Sequence, residues 1–162
     1  MIRRVKPADA AAICDIYNYY VENTMISFEE KPVSKNEMES RIRNISSKYP
    51  YLIREEEDGE INGFVYACPW KDRSAYRFSA ELSVYVRKGF LGRGIGWELM
   101  ERILEEARTT DLHSLVSGIA LPNERSIALH EKAGFRKIAQ FDEIGFKFNK
   151  WHDVGYWELV LK

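Results

Sequence analysis

The chain has 162 residues, the size of one domain, and 45% hydrophobic with 30% charged residues is a balance that builds a core, which excludes a disordered or low-complexity chain. Lys plus Arg number 24 against 25 Asp plus Glu, so a net charge of -1 offers no global basic field to nucleic acid and no acidic tail to mimic it. No apolar run reaches membrane-spanning length, and Met1–Pro7 lacks the apolar core of a signal peptide. A cytoplasmic protein with no membrane partner is the expectation.

Taken in chain order, Ile2–Lys6 reads as a short strand. Pro7 suits a first helical turn, and it opens an amphipathic run through Ala11, Ile13, Ile16, Tyr17 and Tyr20. A loop over Asn23–Lys31 carries Ser27 and Phe28. Ser34 with Glu37 three residues on is a capping-box pattern, which starts a second helix running to about Lys48 before Pro50. Tyr51–Arg54 and Ile61–Ala67, separated by a turn containing Asp58-Gly59, predict a hairpin.

After the polar loop Trp70–Ala75 a longer strand is predicted from about Tyr76 to Val86. A glycine-rich turn follows, and then a helix to Arg108 with Ile95, Leu99, Ile103 and Ala107 on one face. His113–Ile119 reads as a strand, and Asn123–Lys132 as a short helix that Gly134 closes. Strands over 135 to about 143 and 155–161 complete an α/β (α+β) pattern of seven strands and four helices in one domain, 1–162. That order excludes a Rossmann fold and calls for a mixed, mainly antiparallel sheet flanked by helices.

Cys14 and Cys68 read as small buried hydrophobes, and His113, His130 and His152 have no ligand-like spacing, so no metal is expected. The strongest local signal is the strand Leu82–Val86 running through Gly92-Arg93-Gly94-Ile95-Gly96 into a helix. Glycines there expose successive backbone N–H groups, and the helix start adds partial positive charge, which together suit a diphosphate. Arg87, Lys88 and Arg93 add cations. A P-loop would need Gly-Lys-Ser/Thr where this chain has Gly-Ile-Gly-Trp. The bland alternative is a connector that merely turns the chain.

Val84-Tyr85-Val86 with the glycine turn, and Leu121–Ser126 leading to Ala128–Phe135, resemble the coenzyme A signature of the GNAT acetyltransferase superfamily. Within it the chain most resembles the phosphinothricin and methionine sulfoximine N-acetyltransferases, through Ile16–Asn18, Pro69–Lys71, Ala75-Tyr76, Ala80-Glu81, Gly145–Lys147 and Trp151–Gly155. Leu91 departs from the Gln or Arg usual at the start of the superfamily turn.

The resemblance implies the GNAT fold, a homodimer, and transfer of an acetyl group from acetyl-CoA to a small-molecule amine. It implies that the pantetheine arm lies along the strand at Val84, Tyr85 and Val86, with the diphosphate at Gly92, Arg93, Gly94, Ile95, Gly96 and Trp97. Asn123 then both caps its helix and reaches the pantetheine. Glu81 matches the family's catalytic glutamate; by itself it is also a plain strand glutamate. His130 stands where many of these enzymes carry a Tyr, and it reads as an acid, a relay base or a structural histidine.

For the acceptor the resemblance implies the loop Arg73, Ser74, Ala75 and Tyr76, with Phe28 as a weaker candidate and Arg77 read as exposed polar surface. Trp151, His152 and Tyr156 are expected in the core or a subunit contact. Acetylation of a peptide N-terminus or polyamine, or a non-catalytic acyl-CoA-binding module, are the competing readings.

Overall fold

The computed structural model describes residues Met1–Lys162. Its elements are β1 (Ile2–Arg4), α1 (Ala10–Asn23), α2 (Lys35–Ser46), β2 (Tyr51–Glu55), β3 (Ile61–Pro69), β4 (Ser79–Val86), α3 (Ile95–Ala107), β5 (Ser114–Ala120), α4 (Glu124–Lys132), β6 (Arg136–Lys147) and β7 (Lys150–Val160). They form one sheet of seven strands in the order β1-β2-β3-β4-β5-β7-β6. Every neighbouring pair is antiparallel except β4 and β5. The mixed sheet and the four helices are those expected from the sequence.

Strand alternation divides the core between the two faces. Leu82, Leu115, Ile119 and Trp157 pack with Ile95, Leu99 and Ile103 of α3 on one side. Ile53, Phe64, Ile13, Ile16 and Ile42 join α1 and α2 to the other. Gly63 of β3 allows α3 to approach closely, since a Cβ there would stand 2.9 Å from Leu99 Cδ1 and 3.1 Å from Ile95 Cγ2. That contact fixes the start of α3 beside the end of β4.

Two boundaries differ from expectation. Residues 74–76 form a 3-10 turn and β4 begins only at Ser79, because Tyr76 and Phe78 are exposed and make no alternating face. At the other end β6 and β7 run together as a hairpin across the predicted gap, paired from Arg136↔Glu158 to Lys147↔Lys150. Its two-residue turn, Phe148-Asn149, takes positive φ at both positions (53° and 58°) without a glycine, so the usual Asn-Gly signal is missing. Glu143, also at positive φ, sits in an irregularity of β6, where its N–H donates to Asp153 Oδ1 at 2.8 Å.

Candidate active site

The parallel pairing of β4 with β5 stops after three rungs, the last being Glu81↔Val116. Beyond it the strands separate, and the Ser117 hydroxyl donates to the Leu82 carbonyl at 3.0 Å in place of a ladder bond. The Arg87 N–H donates to Asn62 O at 2.8 Å, so by antiparallel alternation the odd-numbered residues of β4 turn their main-chain groups to β3. Leu82, Val84 and Val86 therefore turn theirs to the opening. Tyr20 Oη donates to Val86 O at 2.5 Å, which leaves Val84 N–H and C=O and Val86 N–H facing the gap.

A cleft of about 650 Å³ follows this free edge, lined by Val84, Tyr85, Val86, the glycine turn and α4 from Asn123 to Lys132. The amides of Gly92, Arg93, Gly94, Ile95 and Gly96 have no main-chain acceptor. Gly92 and Gly94 hold φ of 79° and 82°, the left-handed geometry that turns successive N–H groups one way. Five free donors at the start of a thirteen-residue helix make a built anion site. Trp97 lines it too, with Lys132 Nζ 3.8 Å from its ring centroid.

Of the cations flanking the turn, Arg87 and Lys88 are engaged away from the cleft, while Arg93 rests on Phe90 of the cleft wall. Arg87 donates to Ile61 O at 3.1 Å, Lys88 lies 5.1 Å from the Tyr19 ring, and Arg93 stacks on Phe90 at 4.8 Å. Arg125 and Lys132, on the first and last turns of α4, are the cations that line the cleft. Sequence reasoning passed over both, because only the fold brings α4 against the turn. Leu91 enters as apolar wall. Asn123 caps α4, its Oδ1 accepting from Ser126 N at 3.2 Å, and it lines the cleft as well.

The cleft leads into a chamber of about 50 Å³ between the separated strands, bounded by Leu82, Ser83, Ser117–Ala120 and His130. His130 is 3% exposed. Its Nδ1 stands 2.7 Å from Ser126 O, and a carbonyl only accepts, so Nδ1 carries the proton and Nε2 the lone pair. Nε2 is buried without a partner. Burial holds the imidazole below its usual pKa, with the Ser126 bond opposing. In this tautomer Nε2 is the free acceptor of His130, aimed into the chamber side of α4 with no protein partner.

Glu81 lies on the opposite sheet face, at the last rung before the opening. Burial raises its carboxyl above the usual carboxylate range, and the Lys71 ammonium partly offsets this. Cys68 is its cross-strand neighbour, and burial with the Glu81 charge pushes that thiol up to about 11, too high for a thiolate nucleophile. Tyr156, paired with Gly118 on β5, shares this face and feels the Glu81 charge. Its ring meets Trp70 edge-on at 5.8 Å and Phe141 at 5.6 Å. Any Cβ at Gly118 would press to 3.2 Å from the Tyr156 ring. Tyr156 thus stands in the wall beside Glu81, between Trp70 and Phe141.

Arg73, Ser74, Ala75 and Tyr76 are placed on an exposed turn and line neither the cleft nor the chamber. Phe28 packs on Gly145, leaving no room for a Cβ there, and faces His152 at 6.1 Å. Trp70 and Lys71, conspicuous only as a Pro-Trp-Lys run in the sequence, instead stand beside Glu81 and Tyr156.

A family model described as "Acetyltransferase (GNAT) domain" matches residues 2–155. The chain belongs to the GNAT acetyltransferases. This GNAT enzyme is 36% identical over 157 residues to a phosphinothricin N-acetyltransferase of Streptomyces viridochromogenes, covering 97% of this chain and 85% of that one. It is 34% identical to an L-methionine sulfoximine/L-methionine sulfone acetyltransferase of Salmonella typhimurium, covering 99% and 94%. A phosphinothricin acetyltransferase of Sinorhizobium meliloti, solved in complex with acetyl-CoA, superposes with a TM-score of 0.96 at 31% identity over 99% of this chain and 88% of that one. Acetyl-CoA is the co-substrate of this GNAT fold. The free amides of the turn, the open edge of β4 and the unpartnered Nε2 of His130 fit an acyl thioester carrier bearing a diphosphate. No helix is long and apolar enough to cross a membrane.

Proposed function

We propose that the enzyme acetylates the α-amino group of a small amino-acid analogue of the phosphinothricin, methionine sulfoximine or methionine sulfone type, with Glu81 as general base. The observation that carries this reading is the position of Glu81. Its half-buried carboxyl, raised above the ordinary range, stands at the rung where β4 leaves β5 and the open edge begins. Acetyl-CoA supplies an acetyl group already activated as a thioester. Everything else falls to side chains and amides of the chain.

Glu81 takes the proton that leaves the amine as the amide bond forms and the thioester C–S bond breaks, and that proton ends on the departing thiolate; the Lys71 ammonium favours the ionised carboxyl against the effect of burial. The neutral His130 imidazole accepts a hydrogen bond or relays a proton through Nε2. Trp70 and Tyr156 wall the acceptor, and Lys71 supplies the cationic donor that a carboxylate and phosphinate or sulfone oxygens require. Gly92–Gly96, Val84 and Val86 hold the coenzyme through main-chain N–H groups. Release of free thiol across a panel of phosphinothricin, methionine sulfoximine, methionine sulfone, polyamines and N-terminal peptides tests the acceptor class. Highest kcat/KM among the amino-acid analogues is expected; preference for a polyamine or peptide overturns it.

The same reading includes a homodimer through β6. That strand is the sheet's outer edge, and Ile138, Phe141, Ile144 and Phe146 on it, with Phe148 and Trp151 at the turn, are each at least 48% exposed. A second copy covering this edge accounts for them. Sedimentation should give the mass of two chains, and Ile144→Asp should shift it toward one; a wild-type monomer at micromolar concentration contradicts the dimer.

A further inference from the structure

Ile26 lies on the loop between α1 and α2, far in sequence from the coenzyme strand, yet it lines both the large cleft and the small chamber. Only Val84, Tyr85, Asn123 and Ser126 share that property. Val84 and Tyr85 are on β4, while Asn123 and Ser126 are on the α4 side. Ile26 thus completes a neck between the cleft that takes the carrier arm and the chamber that takes what the arm carries.

The neck is tethered on both sides of Ile26. The Ile26 N–H donates to Thr24 Oγ1 at 3.1 Å. Next along the chain, Ser27 O accepts from the buried Lys147 Nζ at 2.6 Å, and the Ser27 hydroxyl stands 2.9 Å from Tyr17 Oη. The backbone that carries Ile26 is thereby held on both sides of the neck. The chamber behind it, about 50 Å³ against about 650 Å³ for the cleft, suits a few atoms and no chain.

We infer that Ile26 sets the length of the acyl group this enzyme transfers, closing the chamber to groups longer than acetyl. The inference rests on the acyl-transfer reading above, because it assigns the chamber to the thioester's acyl end. The chamber is small and its lining largely polar, so an added methylene finds neither room nor apolar contact there, and one methylene is worth about 10- to 200-fold in selectivity where a pocket wall does not yield. Ile26 is 41% exposed, so shortening it empties no core and the variant keeps its fold.

The test compares acetyl-, propionyl- and butyryl-CoA on wild type and Ile26→Ala, through kcat/KM with the best acceptor and through Kd by calorimetry without acceptor. In the wild type, kcat/KM should fall by about 10-fold or more from acetyl to propionyl, with Kd rising along the series. Ile26→Ala should flatten both series while acetyl transfer persists. A wild-type series flat in both readouts, or an Ile26→Ala series as steep as the wild type, overturns the inference and leaves the transferase reading standing. Tight acetyl-CoA binding with no transfer to any acceptor removes that reading instead, and the inference with it.

Discussion

Glu81→Gln is expected to lower kcat by about 10²- to 10⁴-fold, the range for loss of a general base, and to leave the Kd for acetyl-CoA where it was. Gln fills the same volume beside Cys68 and Val116 and cannot accept a proton at neutral pH. None of the main-chain donors of the cleft is touched. The pH dependence gives a second readout. Glu81 must be ionised to act, and burial raises its pKa, so wild-type kcat/KM rises with pH through a value above that of an ordinary glutamate. In Glu81→Gln this limb should vanish. His130, held below its usual pKa, would contribute a separate limb that survives the substitution. Turnover within threefold of wild type would remove Glu81 from the role of base.

Lys147→Met should cost the fold about 2–4 kcal/mol, seen as a drop in Tm of about 2–4 °C for each kcal/mol. Lys147 is 2% exposed, and its Nζ donates to Val21 O and Ser27 O, both at 2.6 Å. Val21 O lies in the last turn of α1, where carbonyls lack helical partners and the dipole favours a cation. Met fills the space but leaves two interior carbonyls without a donor, at about 1–3 kcal/mol each. Burial holds the Lys147 ammonium below its usual pKa, so relief of that burden takes back part of the loss. Since the same bond fixes Ser27 next to Ile26, this variant should also relax the choice among acyl-CoAs. A Tm unchanged within a degree would mean that other contacts hold the loop.

Local signals made most of the fold legible. Ser34 does cap α2, its hydroxyl accepting from Glu37 N at 3.2 Å, and Gly134 takes a φ of 95° after α4. The glycine turn was readable as an anion site because φ above zero and free amides are properties of a few consecutive residues. What escaped was set by tertiary packing. Nothing local distinguishes Lys132 or Arg125 from any cation on an exposed helix, and only the approach of α4 to the turn makes them cleft residues. Of the three cations flanking the turn, the Ile61 carbonyl and the Tyr19 ring hold Arg87 and Lys88 away from it, a placement that only the folded neighbours decide.

The Arg73–Tyr76 turn likewise stands apart from the cavities, while Trp70, Lys71 and Tyr156 converge on Glu81 because β3, β4, β5 and β7 are neighbours in the sheet. Resemblance located Glu81; the broken β4–β5 ladder supplies the physical reason for its position. Ile26 carries no motif at all. Its place at the neck depends on a buried lysine more than a hundred residues away in the chain.

The most direct measurement is a crystal structure of Glu81→Gln grown with acetyl-CoA. The diphosphate should lie on the amides of Gly92–Gly96, the pantetheine amides should pair with Val84 and Val86, and the acetyl group should enter the gap beyond the Glu81–Val116 rung. A coenzyme bound elsewhere, or an acetyl group turned away from that gap, would contradict the account.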